Sequence, residues 1–477
     1  MPTTSTASSR RSRTRTRGAG VQPHTALFLV IAVLCLGIAT ALARTPFLVS
    51  IGIVAGIVIF IVCLVNTEAS IYVLIFSMLL SPEFLVGGLG GSSATTSSRG
   101  VTLRSEDLLL LVLGFAWLAR MAVHKDLGLV RETPLNRPIG YYVTICTLAT
   151  GAGLIFGSVN GMTGFFFVLK YVEYFVVYFV AANYTSQRSQ VKRYTVALLL
   201  TALIVSVVAM VQIPGGGRVS APFEGEDGEP NTLGGYLLFM GAVAAGLSMH
   251  LPKARDRWLL IGLVVIMLIP FLFTLSRTSY AGLPVVYLAL VFLHKKKRVL
   301  MIGMMLLFGV LGVVLMPQVV KDRIFNTFNP QYSRRYDQAA VGGVKLDTST
   351  TERVRSWEKA LEDIAKSPVW GFGVTGYGFL DAQYPRVMVE TGILGLVIFF
   401  MLINAVYKTC LNVFRSASDP LYRGLAMGTV AGLGGLMVHG LGSNTFIIVR
   451  IMEPFWLVVG LVVSITKMAP EERVAPA

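Results

Sequence analysis

Residues 257–298 read RWLLIGLVVIMLIPFLFTLSRTSYAGLPVVYLALVFLHKKKR. Wound as helices, the apolar runs 257–275 and 278–294 each approach the thickness of a bilayer's hydrocarbon core. Lys253–Arg257 precedes the first run and Lys295–Arg298 follows the second, so both basic ends fall on one side. Between the runs stands Arg277, in the hinge Leu275-Ser276-Arg277-Thr278, with almost no loop to hold it. A helical hairpin through a membrane satisfies all of this. Each helix pairs its own backbone groups, the basic ends stay in the cytoplasm, and Arg277 marks the far surface.

The same pattern extends in both directions. The 477 residues are 54% hydrophobic and only 14% charged, with mean hydropathy +0.69. A soluble chain of this composition would expose large apolar patches to water. Apolar runs predict an all-α polytopic membrane protein with about fourteen transmembrane helices. The expected spans are 26–43, 47–65, 69–87, 106–123, 139–157, 165–182, 194–213, 232–250, 257–275, 278–294, 298–317, 385–408, 421–442 and 444–466. The domain plan is a disordered basic tail (1–25), a membrane bundle (26–317), a long extracytoplasmic loop (318–384), C-terminal membrane helices (385–466) and a short tail (467–477).

Charge placement sets the orientation. The net charge of +16 suggests nucleic acid only until its location is read. The loops Arg120–Arg137, Arg188–Arg193, Lys253–Arg257, Lys295–Arg298 and Lys408–Arg423 alternate with apolar segments, and all are basic. The intervening turn Gly157–Gly164 carries no charge. This is the positive-inside pattern, and residues so scattered build no nucleic-acid groove. It predicts an inner-membrane protein with both termini cytoplasmic and Gln318–Tyr384 outside.

Two stretches interrupt the pattern. Gly87–Arg104 is rich in Gly, Ser and Thr and reads as a flexible outer loop. Gln318–Tyr384 is longer, with a helical centre at Thr351–Lys366 and Trp357, Ile364, Trp370 and Phe372 to bury, so order is expected. Cys35, Cys63, Cys146 and Cys410 lie in or at the ends of apolar runs and read as small buried residues. No CxxC or Cys/His cluster is present, and neither metal nor cofactor is expected.

Charges at membrane depth need a reason. Lys170 and Glu173, three apart, read as an intramembrane ion pair, as do Arg450 and Glu453. His439 reads as a polar cap at an outer helix end. Arg218, after Gly215-Gly216-Gly217, and Arg277 run against the topology rule because they face outward. A guanidinium binds phosphate bidentately and keeps its proton, so both are candidate anion ligands. Arg334, Arg335, Arg353 and Arg355 in the long loop extend the pattern toward a polyanion site. Asp381 and Glu390 flank the re-entry into the membrane. A carboxylate beside arginines at such a mouth is either a general base for a hydroxyl or a salt-bridge partner that fixes the loop.

Three stretches, in order, carry a resemblance. The first is Arg218-Val-Ser-Ala-Pro-Phe223 followed by Pro230-Asn231-Thr-Leu-Gly-Gly-Tyr236. The second is Thr274-Leu-Ser276-Arg277-Thr-Ser-Tyr-Ala-Gly282. The third is Arg353-Val-Arg355-Ser-Trp357, then Pro368-Val-Trp-Gly371-Phe-Gly373, Asp381-Ala-Gln-Tyr384 and Glu390-Thr-Gly392-Ile-Leu-Gly395. Together they resemble the O-antigen ligase and O-antigen/exopolysaccharide polymerase (Wzy-type) superfamily over about Arg218–Leu396. Glu106-Asp107-Leu108 is an earlier echo. One departure stands out. Ligases of this superfamily typically carry His-Asn where this chain has Asp381-Ala382, which turns the expectation toward a polymerase or a ligase with another acceptor.

The resemblance implies a GT-C-like, metal-independent, inverting glycosyltransferase. It would move a glycan from an undecaprenyl-diphosphate donor to an acceptor hydroxyl on lipid, growing polysaccharide or protein. The implied roles are diphosphate stabilisation by Arg218 and Arg277, with Arg353, Arg355, Arg334 and Arg335 as outer helpers. Asp381 would be the base. Tyr384, Glu390 and Asn231 complete the expected substrate-binding set. The alternative is a transporter of a small anion such as bicarbonate, using the same intramembrane charges. Against it, the halves show no internal repeat, and a transporter needs no ordered outer loop of this size.

Overall fold

The computed structural model describes residues 65–80, 132–222, 228–294, 317–325, 348–378 and 380–468, together with short pieces between them. In chain order the helices are α1 (Thr67–Leu80), α2 (Asn136–Ile155), α3 (Gly161–Tyr184), α4 (Arg188–Val211), α5 (Pro230–His250), α6 (Ala254–Phe273) and α7 (Arg277–Leu293). They continue as α8 (Gln318–Phe325), α9 (Thr348–Asp363), α10 (Gln383–Ser416), α11 (Pro420–His439) and α12 (Val449–Ile465). Two short antiparallel ladders join them: β1 (Glu83–Leu85) with β2 (Thr102–Arg104), and β3 (Ala340–Val341) with β4 (Val344–Lys345). Seven of the described helices are long and apolar enough to cross a membrane.

The helix starts follow local chemistry. Asn160 caps α3 through the amides of Met162 and Thr163. Asp419 caps α11 through Leu421, and Pro420 then occupies the first helical position, where its missing N–H costs nothing. Packing is closest where side chains are smallest. A Cβ at Gly246 would lie 2.6 Å from backbone atoms of Gly424 and Gly428, so α5 and α11 touch backbone to backbone. Helix α12 is buried along its whole length. Its Trp456 stacks parallel to Tyr174 of α3 and meets Phe175 edge-on. Helix α6, by contrast, turns Trp258, Leu259, Ile261 and Val265 outward, as a lipid-facing helix does.

The expected spans 139–157 through 278–294 match α2 to α7, with boundaries that differ by up to six residues, the largest at the start of α4 (Arg188 rather than 194). Those at 26–43, 47–65, 106–123 and 298–317 lie wholly or almost wholly outside the described residues, as do the two tails. Three boundaries differ. The helix expected over 69–87 ends at Leu80, just before Ser81-Pro82, whose proline lacks a helical donor. The Gly/Ser stretch expected as a loose loop has its ends zipped together, with Glu83 opposite Arg104. The last span begins at Val449 rather than 444, because residues 440–448 form a loop at the site described below.

The span expected over 385–408 is part of α10, 34 residues broken at Gly392 (φ 74°, ψ 179°). There the Ile393 amide leaves the helical ladder and donates to the Pro368 carbonyl at 2.9 Å. A Cβ on Gly392 would sit 2.0 Å from the Val369 carbonyl oxygen, so only glycine fits. Its neighbours Gly371 and Gly373 also have positive φ, and the segment is tied to α2 by the Val374 amide donating to Thr150 Oγ1 (3.3 Å) and to the turn after α2 by Ser158 Oγ donating to the Phe372 carbonyl (2.7 Å). The expected aromatic core of the long loop is corrected here. Ile364 is buried, but Trp370 is 44% exposed, and the small core is Ala360, Leu380 and Val389 with Phe372, Tyr377 and Met388 against it. Cys146 and Cys410 are buried free thiols.

Candidate active site where two helix starts meet

The site begins with a loop that is tied down at every step. After α4, a 3-10 turn (Ile213–Gly215) and Gly216 in the left-handed region reverse the chain. Gln212 then holds Ser220 twice, donating to its carbonyl at 3.2 Å and accepting from its amide at 3.1 Å. The Val219 amide donates to the Phe273 carbonyl at 3.1 Å. From the far side of the bundle, buried Arg450 of α12 donates through Nη1 to the Pro222 carbonyl at 2.6 Å. These bonds bring Arg218 to the α6–α7 hinge, where its Nε donates to the Thr274 carbonyl at 3.1 Å.

The hinge is strained and capped. Leu275 has φ 50°, a region that non-glycine residues rarely occupy and that clusters at functional sites. Ser276 caps α7 through the Ser279 amide and donates through Oγ to Asn231 Oδ1 at 2.8 Å. Asn231 is the second residue of α5, so this bond fastens two helix N-termini side by side. Gly234 makes the fit possible, since a Cβ there would collide with Ser279 Oγ at 2.2 Å. Helix N-termini carry positive partial charge and unpaired amides, which favour an anion. Arg277, the first residue of α7, adds a full charge at the same place.

The long loop supplies the third wall. Arg353 of α9 donates through Nη2 to Asp381 Oδ2 at 2.9 Å. Gly442 lies between Arg353 and the start of α7, for a Cβ on it would be 2.6 Å from Thr278 Cγ2 and 3.5 Å from Arg353 Cδ. Residues 440–446 hold Asp381 in place. The Gln383 amide donates to the Gly440 carbonyl (3.0 Å), Asn444 donates to the Leu380 carbonyl (2.7 Å), and the Phe446 amide donates to Gln383 Oε1 (2.9 Å). Buried His439 lies 2.7 Å, Nδ1 to Oγ1, from Thr445, and its ring fills the space left by Gly235.

The charge balance of this mouth is positive. Partial burial, then the fields of Arg323, Arg277 and Arg353, push the Arg218 guanidinium below its ordinary value. Arg218 therefore feels three other guanidinium groups, and one of them, Arg353, is paired with the Asp381 carboxylate. Arg323, on α8, was not singled out from the sequence. Its signal is the Lys321-Asp322-Arg323 cluster directly after a predicted span, overshadowed by the more conspicuous Arg334-Arg335 pair.

The structure thus brings together Arg218, Arg277, Arg353, Asp381 and Asn231. Arg355 is exposed and follows Arg353 by two positions, about 200° around the helix, so the two do not share a face. Tyr384 is an anchor in the bundle, donating to the Met437 carbonyl at 2.5 Å and stacking on Phe400. Glu390 is buried under the loop, bonded to Arg386 at 3.0 Å and accepting from the Thr375 amide at 3.3 Å. Lys170 and Glu173 lie part-buried a turn apart on α3. Arg334 and Arg335 fall outside the described residues. Among the described residues, no group of three or more His, Cys, Asp and Glu side chains converges.

Comparison with curated proteins returns no match. Residues 262–400 match the family model described as O-antigen ligase, Wzy_C. The matched stretch runs from α6 through the Arg277 hinge and the long loop to the upper half of α10, and so covers two of the site's three walls. The resemblance read from the sequence is borne out over residues 262–400, where this multi-pass membrane protein matches the O-antigen ligase domain.

Proposed function

We propose that the chain is a glycosyltransferase of the ligase/polymerase type, acting on the outer face of the inner membrane with a GT-C-like bundle of about fourteen helices. Its donor would be a glycan on undecaprenyl diphosphate and its acceptor a sugar, lipid or protein hydroxyl, with chain polymerisation favoured. One observation carries this reading: where the N-termini of α5 and α7 meet, Arg218 bonds the α6–α7 hinge, Arg277 opens α7, and Arg353 pairs with Asp381 beside Gly442. Such an assembly demands an anion, and a lipid diphosphate reaches it from the bilayer.

The chemistry follows from charge. As the glycosidic bond to the carrier breaks, negative charge grows on the departing diphosphate. Fixed guanidinium groups and helix amides stabilise that charge without reorganising, which lowers the barrier to transfer. The acceptor hydroxyl attacks the anomeric carbon from the opposite side and inverts it, and its proton passes to Asp381. In the resting site Asp381 holds Arg353. When an acceptor hydroxyl engages Asp381, Arg353 becomes available to the diphosphate, so the two substrates complete the site together. Arginine charge stands in for a metal in this scheme.

A deletion strain tests the class of reaction. Loss of a polymerase leaves single repeat units, loss of a ligase leaves unattached glycan on the carrier, and loss of a transporter leaves every surface glycan unchanged. The last result overturns the proposal.

A further inference from the structure

A second cationic enclosure lies at the other end of the bundle. Helices α5 and α7 start beside the arginine cluster and end roughly 25–30 Å away, at His250 and Leu293. Arg415, near the end of α10, and Arg423, in the first turns of α11, meet them there. With His294 these residues line a cavity of about 780 Å³ whose other described lining residues are apolar, including Phe292 and Phe414. Among the described residues that line it, two are arginines, two are histidines and none is acidic. The adjoining sequence stretches Lys253–Arg257 and Lys295–Arg298 are both basic.

Helix dipoles account for part of the pattern. Arg415 sits in the last turn of α10, at a negative helix end that favours a cation, while His250 closes α5 and His294 caps α7. Arg423 has the opposite placement. It is the fourth residue of α11, at a positive end. The nearby carboxylate, Asp419, is already engaged by the Leu421 amide at 2.7 Å and by Arg188. Among the described residues, Arg423 Nε and His294 Nδ1 are buried with no hydrogen-bond partner. The Arg423 guanidinium lies over the Phe414 ring at 5.6 Å, and the His250 and His294 rings are 5.6 Å apart. Buried N–H groups without acceptors are costly, and an oxyanion between them removes that cost.

We propose that this cavity binds a phosphate-bearing anion, with Arg423, His250 and His294 as its ligands and Arg415 at its rim. The apolar wall suits the acyl chains of an acidic phospholipid, and basic pockets between membrane helices take such headgroups. A free phosphate offers the same oxygens. The cavity is separate from the arginine cluster, because α5 and α11 close on each other at Gly246, Gly424 and Gly428 between the two ends.

The test is calorimetric titration of the purified full chain in neutral detergent. The probes are short-chain phosphatidylglycerol, phosphatidylcholine of the same chain length, and inorganic phosphate. Phosphatidylglycerol is expected to bind saturably and at least tenfold more tightly than phosphatidylcholine. Arg423→Gln should weaken it at least tenfold, with Arg423→Lys intermediate. Binding of phosphatidylglycerol alone assigns the site to a lipid headgroup, and binding of phosphate with the same sensitivity to Arg423→Gln assigns it to a free anion. Either outcome upholds the anion site. If Arg423→Gln does not fold, as read by its thermal midpoint, His294→Gln replaces it. Equal binding of the two lipids, no saturable binding of any probe, or unchanged affinity in the folded variants overturns the proposal.

Discussion

Arg353 and Asp381 meet across the mouth of the site, Nη2 to Oδ2 at 2.9 Å, with side chains 21% and 26% exposed. A pair this accessible contributes little to folding, on the order of 1 kcal/mol or less. Under the proposed function its position between α9 and the head of α10 gives it a chemical use instead. Asp381→Asn is expected to lower turnover on the order of 10²–10⁴-fold while leaving donor affinity within a few fold. Turnover and KM for transfer in purified enzyme check this, and unchanged turnover moves the base elsewhere.

Arg277 stands at the first position of α7, bound into a hinge whose neighbours are fixed by Ser276 and Asn231. Removing one preorganised group from a developing anion typically lowers kcat on the order of 10²–10³-fold, and that loss is expected for Arg277→Ala. Arg277→Lys keeps the charge but loses the planar fork, so only part of the rate should return. Arg218→Ala should behave like Arg277→Ala. Full transfer by both alanine variants, with wild-type thermal midpoints, removes the diphosphate assignment.

Gly392 admits no side chain, because of both its φ and the Val369 carbonyl against it. Gly392→Ala is expected to destabilise the docking of residues 368–378 on α10 by about 1–3 kcal/mol. Limited proteolysis of the purified protein should then cut between Pro368 and Gly378 before it cuts any membrane helix. A cleavage pattern like that of the wild type would show that the kink tolerates a Cβ.

Asp363, at the end of α9, accepts from Lys366 at 2.5 Å and from the Tyr377 hydroxyl at 2.6 Å, and these bonds hold its carboxyl below the usual value of 3.8. A depressed carboxylate contributes its full stability above the unfolded value and loses it as pH falls through the folded one. Protection of α9 amides against hydrogen exchange should therefore hold down to about pH 4 and decline below it. In Asp363→Asn that acid-induced decline should be smaller, while protection at neutral pH is already lower. An identical pH profile in the variant would contradict the assignment.

The membrane helices were legible because hydropathy acts over whole segments: α5, α6 and α7 lie within three residues of their expected bounds. The boundaries that moved depend on single contacts. Nothing in residues 385–408 shows that Gly392 would break α10, since the reason is the Val369 carbonyl, brought there by the loop. The arginines were legible by polarity alone, since the basic loops predict Arg218 and Arg277 on the side that basic residues avoid. That they meet at the α6–α7 hinge depends on Ser276 and Arg450, whose bonds join residues far apart in sequence, and on the local hold of Gln212 on Ser220. Glu390 shows the opposite limit. Its place in a motif made it a binding candidate, yet Arg386, four residues before it, engages it beneath the loop.

Helix α12 is enclosed along its whole length, and Arg450 near its start grips the Pro222 carbonyl. Helices are delivered to the membrane in chain order, so α3, α5 and α11 must leave a vacant slot until this one arrives. Until then the segment bearing Arg218 lacks its rear fastening. Under the proposed function, biosynthesis itself would act as a safety catch: a nascent bundle, inserted but unfinished, would meet a lipid-linked donor before it had the means to cleave it.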